Sequence, residues 1–132
     1  MKAKSPVLKP LIYSCSGSSS AAQMANYMAI QTDRKRVADM SCIAGVGGSV
    51  KKLVKTALSG RKIIVIDGCP LACAKACLNQ HSVKPDLHIE LTSYGVIKQN
   101  HKDFDKQQAD KLLKVIDKQI EESPNFNPVN KR

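Results

Sequence analysis

Three apolar runs in this chain are each followed by small residues and then a helical pattern, and each leads into a cysteine. Leu11-Ile12-Tyr13 precedes Cys15, Val37-Ala38-Asp39-Met40-Ser41 precedes Cys42, and Ile63-Ile64-Val65-Ile66-Asp67-Gly68 precedes Cys69. Alternating strands and helices of this kind build a parallel sheet covered on both faces. Parallel strands all end on one edge, where such proteins place their ligands. The three cysteines are therefore expected to meet on that edge. Cys73, from the first turn of the next helix, would be a fourth thiol, and together they point to a four-thiolate metal site.

The expected class is α/β: a three-layer α/β/α, Rossmann-like single domain with about four mainly parallel strands. Strands are expected at Leu11–Ser14, Val37–Ile43, Lys62–Ile66 and Leu87–Thr92, the last half-exposed because apolar and polar residues alternate in it. Ser18, Ser19 or Ser20 can cap a first helix reaching Gln31, striped by Ala21, Met24, Ala25 and Met28. Ser49 is expected to cap a second helix, with Val50, Leu53, Val54 and Leu58 on one face and Gly60 as its stop. Pro70 suits the first position of a third helix reaching Leu78, with Cys69 as its cap. Asp105, with Gln108 three residues on, marks the start of a last helix striped by Ala109, Leu112, Leu113, Ile116 and Ile120. The domain is expected over residues 10–122, between flexible tails at 1–9 and 123–132.

At 132 residues the chain is long enough to bury a core without covalent staples. The lysine-rich start does not read as a signal peptide and no run is long enough to cross a membrane, so a cytoplasmic location without membrane contact is expected. Reduced surroundings and an odd count of five cysteines argue for metal or thiol chemistry over disulfides. The net charge of +10 invites a nucleic-acid reading, but Lys2, Lys4, Lys9, Lys131 and Arg132 supply half of it from the ends. Two Phe and three Tyr make no stacking platform, and no recognition motif is present. Specific nucleic-acid binding is not expected.

A thiolate is the form that ligates metal, and helix N-termini favour negative charge, so these positions are expected to lower the thiol pKa values together. Zinc suits four sulfurs; an iron–sulfur cluster or another soft ion is the alternative cofactor. Cys77 lies one turn beyond Cys73 and is expected to serve packing.

The segment Ile66-Asp67-Gly68-Cys69-Pro70-Leu71-Ala72-Cys73-Ala74-Lys75 resembles the signature of the DGC-domain family, named for Asp-Gly-Cys and described as zinc-binding. Cys15-Ser16-Gly17 and Cys42-Ile43-Ala44-Gly45-Val46-Gly47-Gly48 are similar to its other two cysteine motifs. The resemblance spans Leu11 to Ile120 and implies a small α/β domain with zinc on Cys15, Cys42, Cys69 and Cys73.

Competing readings are weaker. Gly45-Val46-Gly47-Gly48-Ser49-Val50 begins like a dinucleotide loop, but its third glycine is Val50 and it does not follow the first strand. The glycines are better read as room for the backbone around the thiols. A cysteine-phosphatase loop needs an arginine that neither Cys15 nor Cys69 has after it. The C-x3-C spacing is not a thioredoxin motif. His81, His88 and His101 show no metal spacing, and Asp67 is expected to fix a turn by accepting backbone N–H bonds. Two functions remain. One is a protein that holds or senses zinc, with the metal ion as its partner. The other is a thiol- or metal-dependent enzyme acting on a small molecule at the same edge.

Overall fold

The computed structural model describes residues 8–126. Most of the expected tails at 1–9 and 123–132, with Lys2, Lys4, Lys131 and Arg132, lies outside the described residues. In chain order the elements are β1 (Leu11–Ser14), α1 (Ser20–Arg34), β2 (Asp39–Met40), α2 (Ile43–Gly47), α3 (Lys51–Ala57), β3 (Ile63–Asp67), α4 (Cys73–Asn79), β4 (Leu87–Glu90), a 3-10 helix (Leu91–Tyr94) and α5 (Lys106–Glu122).

The four strands form one parallel sheet in the order β2-β1-β3-β4. Strands β1 and β3, both wholly buried, occupy its centre. Alternation along them divides the core. Ile12, Ile64, Ile66 and Ile89 face α1 and α5, while Leu11, Tyr13, Ile63 and Val65 face the layer of α2, α3 and α4. The three-layer expectation therefore holds.

Capping follows the sequence at two helices. Ser19 accepts from the Ala22 N–H at 3.2 Å to start α1, and Asp105 accepts from the Gln108 N–H at 3.1 Å to start α5. The Tyr27 hydroxyl donates to Asp110 at 2.6 Å and its ring meets Phe104 at 5.1 Å, which joins α1 to the α5 region.

Several boundaries differ from the sequence reading. Strand β2 is two residues long rather than seven, because Cys42 already caps α2. Ala44 to Gly47 is not an open glycine loop but lies within that short helix, with Gly48 as its C-cap. Ser49 takes a left-handed φ of 60°, and Val50 stands at the N-cap of α3. Helix α4 starts at Cys73, three residues after Pro70, and Ala72 rather than Cys69 is its N-cap, with φ 50°.

Among the described residues no helix is long and apolar enough to cross a membrane.

Candidate functional site

Neighbouring strands β1 and β3 send their following helices to opposite faces of the sheet, so a crevice opens beyond their carboxyl ends. Cys15 stands on one lip. Its N–H donates to the Ile66 carbonyl at 3.1 Å, and this bond extends the ladder one residue past β1. Its Sγ accepts from the Gly68 N–H at 3.2 Å. Cys69 stands on the opposite lip, two residues past β3. Between them Gly68 passes so close to α1 that a Cβ there would lie 2.6 Å from the Ala21 carbonyl carbon and oxygen. Only glycine lets the Asp-Gly-Cys turn and the start of α1 share this space.

Asp67 explains where α4 begins. Its carboxylate is buried and accepts from the Ala74 N–H at 2.8 Å and the Lys75 N–H at 3.2 Å. These are two of the N–H groups that a helix start leaves without partners. Asp67 thus caps α4 from the end of β3. A tight turn with Ala72 N–H donating to the Cys69 carbonyl at 3.1 Å fills the gap. This puts Cys73 at the first helical position and Cys77 one turn later.

Two adjoining cavities result. One of about 230 Å³ is lined by Cys15, Cys69, Cys73, Lys98 and Asn100, together with the serine-rich loop at 16–19. The other, about 220 Å³, is lined by Cys15, Cys73, Cys77, Ile43 and Gly47. Cys15 and Cys73 border both. Gly47 approaches Cys77 so closely that an added Cβ would sit 2.9 Å from its Sγ. Of the α2 glycines, Gly47 therefore makes room beside a thiol, as the sequence suggests, whereas Gly45 makes room for Leu53 of α3.

The electrostatics correct one expectation. Burial pushes the Cys15 thiol up, from 9.0 to about 11, partly offset by the Gly68 N–H; negative charge at Asp67, Cys69 and Cys73 raises it further. Burial also raises Cys77. The expected joint lowering by helix N-termini fails at Cys15 because α1 starts only at Ser20, beyond the reach of its first turn. Cys69 has a cation nearby: the Lys98 ammonium donates to its Sγ at 3.5 Å.

The structure thus brings Cys15, Cys69 and Cys73 to one cavity. Cys42, the remaining expected ligand, is exposed at the N-cap of α2 and lines neither cavity. Cys77, read from sequence as packing, borders the second. Among the described residues no three His, Cys, Asp or Glu side chains gather closely enough to hold a metal ion as they stand. His88 is more engaged than its sequence context suggests, since its Nε2 lies 2.8 Å from Asp67 Oδ2. The alternation of β4 places it on the α4 face, but its partner on β3 could not be read without the strand order.

The anaerobic and virulence modulator AnvM of Pseudomonas aeruginosa PAO1 is 50% identical over 109 residues, 83% of this chain and 83% of that protein. No solved structure shows a significant match. The family model described as the DGC domain matches residues 11–116, from the first residue of β1 into α5 and through every cysteine. The chain belongs to the DGC domain family.

Proposed function

We propose that this protein binds one soft metal ion, zinc foremost, through cysteine sulfur at the β1–β3 edge, and that its task is to hold, sense or pass on that ion. The observation that supports the reading is the cavity shared by Cys15, Cys69 and Cys73 at the switch point of the sheet. Three sulfurs there and Cys42 at the neighbouring strand end make a donor set of the soft kind that zinc takes. In this reading Cys15, Cys42, Cys69 and Cys73 are the ligands. Gly68 and Lys98 direct an N–H and an ammonium at two of the sulfurs, which favours their negative charge. A zinc ion with four sulfur ligands supplies a closed centre without an open position for substrate, so handling or sensing fits better than catalysis. The P. aeruginosa relative is named a modulator, which favours sensing.

Metal analysis of protein purified without added metal tests the proposal. About one zinc per chain and no visible colour is the expected result. A brown protein would put an iron–sulfur cluster at the site instead. A folded, metal-free protein whose thiols all react freely would overturn it.

One observation favours the second reading, a thiol-dependent enzyme: Lys98 and Asn100 share the cavity with Cys69 as polar groups able to orient a small ligand. Rapid alkylation of Cys69 in zinc-loaded protein would select that reading, because a ligated sulfur is shielded.

A further inference from the structure

The pattern of α3 predicts one buried stripe through Val50, Leu53, Val54 and Leu58, and the fold buries only part of it. Leu53 packs on Gly45, whereas Val50 and Leu58 remain 51% and 57% exposed. Lys51, Val54, Lys55 and Leu58, spaced as neighbours on one helix face, line a cavity of about 540 Å³. His81, after α4, also lines it and is fixed there by donating from Nε2 to the Val46 carbonyl at 2.9 Å. None of these residues borders the cysteine cavities.

The charge on this face has one sign. Lys51 and Lys55 make no ion pair among the described residues, and no acidic side chain lines the cavity. We propose that this groove docks an acidic amphipathic helix of a partner protein, its apolar residues on Val54 and Leu58 and its carboxylates on Lys51 and Lys55. Apolar anchors at helical spacing in an exposed groove are the pattern of helix-in-groove recognition. A second copy of this chain is a poor occupant, because a two-fold contact would bring Lys51 and Lys55 of both copies together in one groove. A small amphiphile is also poorly served, since small-molecule sites enclose most of their ligand and this one runs along a helix face.

The test uses the full chain and two fluorescent synthetic peptides. Both carry leucines at helical spacing; one is flanked by glutamates and its twin by lysines. Fluorescence anisotropy should show the acidic peptide binding at least about tenfold more tightly than the basic one. Leu58→Asp should weaken it by about tenfold, and Lys51→Glu with Lys55→Glu should reverse the preference. These positions border solvent, so circular dichroism of the variants should match the parent. NMR shift changes should centre on Val54, Leu58 and His81. Equal binding of the twins, a preference that survives the substitutions, or shifts centred on Cys69 and Lys98 would overturn the proposal. So would a sedimentation result showing that a second copy fills the groove.

Discussion

His88 Nε2 lies 2.8 Å from Asp67 Oδ2, so the edge strand β4 is tied to the turn that carries Cys69 and Cys73. The carboxylate can only accept, so the ring nitrogen facing it carries the proton. The same carboxylate takes two N–H groups of α4. One buried side chain therefore fixes both the start of that helix and the inner face of β4.

Replacing Asp67 by Ala should be among the most damaging single changes here. It strips partners from two helix N–H groups and from His88 inside the protein, at a cost of about 2–4 kcal/mol. Asp67→Asn, which keeps one acceptor, should lose clearly less. Urea unfolding of the two variants checks the order, and equal losses would show that Asp67 acts as no cap.

Gly68→Ala should destabilise for a different reason. The new methyl group meets the Ala21 backbone, which cannot swing aside as a side chain would. Overpacking of this kind costs about 1–3 kcal/mol. Zinc retention should fall as well, because Gly68 supplies the N–H that Cys15 Sγ accepts. Thermal unfolding and metal content of the variant test both effects. Unchanged stability would mean that α1 shifts without penalty.

The Cys15 thiol gives a pH signature in metal-free protein. Its pKa is raised on folding from 9.0 to about 11. The unfolded chain thus loses this proton first, and the stability linked to it is complete below pH 9.0 and lost as pH climbs to about 11. Iodoacetamide should label Cys15 slowly at neutral pH and faster through that window, and Cys15→Ala should flatten the alkaline part of the stability curve. Fast labelling at pH 7 would contradict the burial of this sulfur.

Serine substitutions separate the thiols. Cys15→Ser, Cys69→Ser and Cys73→Ser should each abolish most zinc retention. Cys42→Ser should do the same if this exposed sulfur is the fourth donor. Loss with Cys77→Ser instead would transfer that place to Cys77. Chelation should leave the far-UV circular dichroism largely intact, because Ile64, Val65, Ile66 and Ile116 are buried in apolar cores whose stabilisation comes from the area they remove from water. Global unfolding on chelation would mark the site as structural.

Much of this arrangement was legible in the sequence. The all-apolar run Ile63–Ile66 marks a central strand, and the alternation of Leu87–Glu90 marks an edge, because burial on one face or two leaves different patterns. Serine and aspartate caps at Ser19 and Asp105 are local chemistry and read directly. The start of α4 is not local. Pro70 favours an earlier helix, but Asp67 caps Ala74 and Lys75 from the end of β3, a contact fixed only when the turn folds back. Cys42 and Cys77 illustrate the same limit. Topological equivalence puts Cys42 at the right edge, whereas cavity shape, which depends on how α2 packs on α4, brings Cys77 to the side of Cys15 and Cys73.

The ladder between β1 and β3 makes its last rung where the Cys15 N–H meets the Ile66 carbonyl, and beyond it the chain parts like cloth past a zip. One side leaves toward α1, the other toward α4. Anything that grips both Cys15 and Cys69 stitches that seam at its open end, where the Gly68 N–H to Cys15 Sγ bond already draws the two sides together. Occupancy of so small a site could in this way be felt on both faces of the molecule.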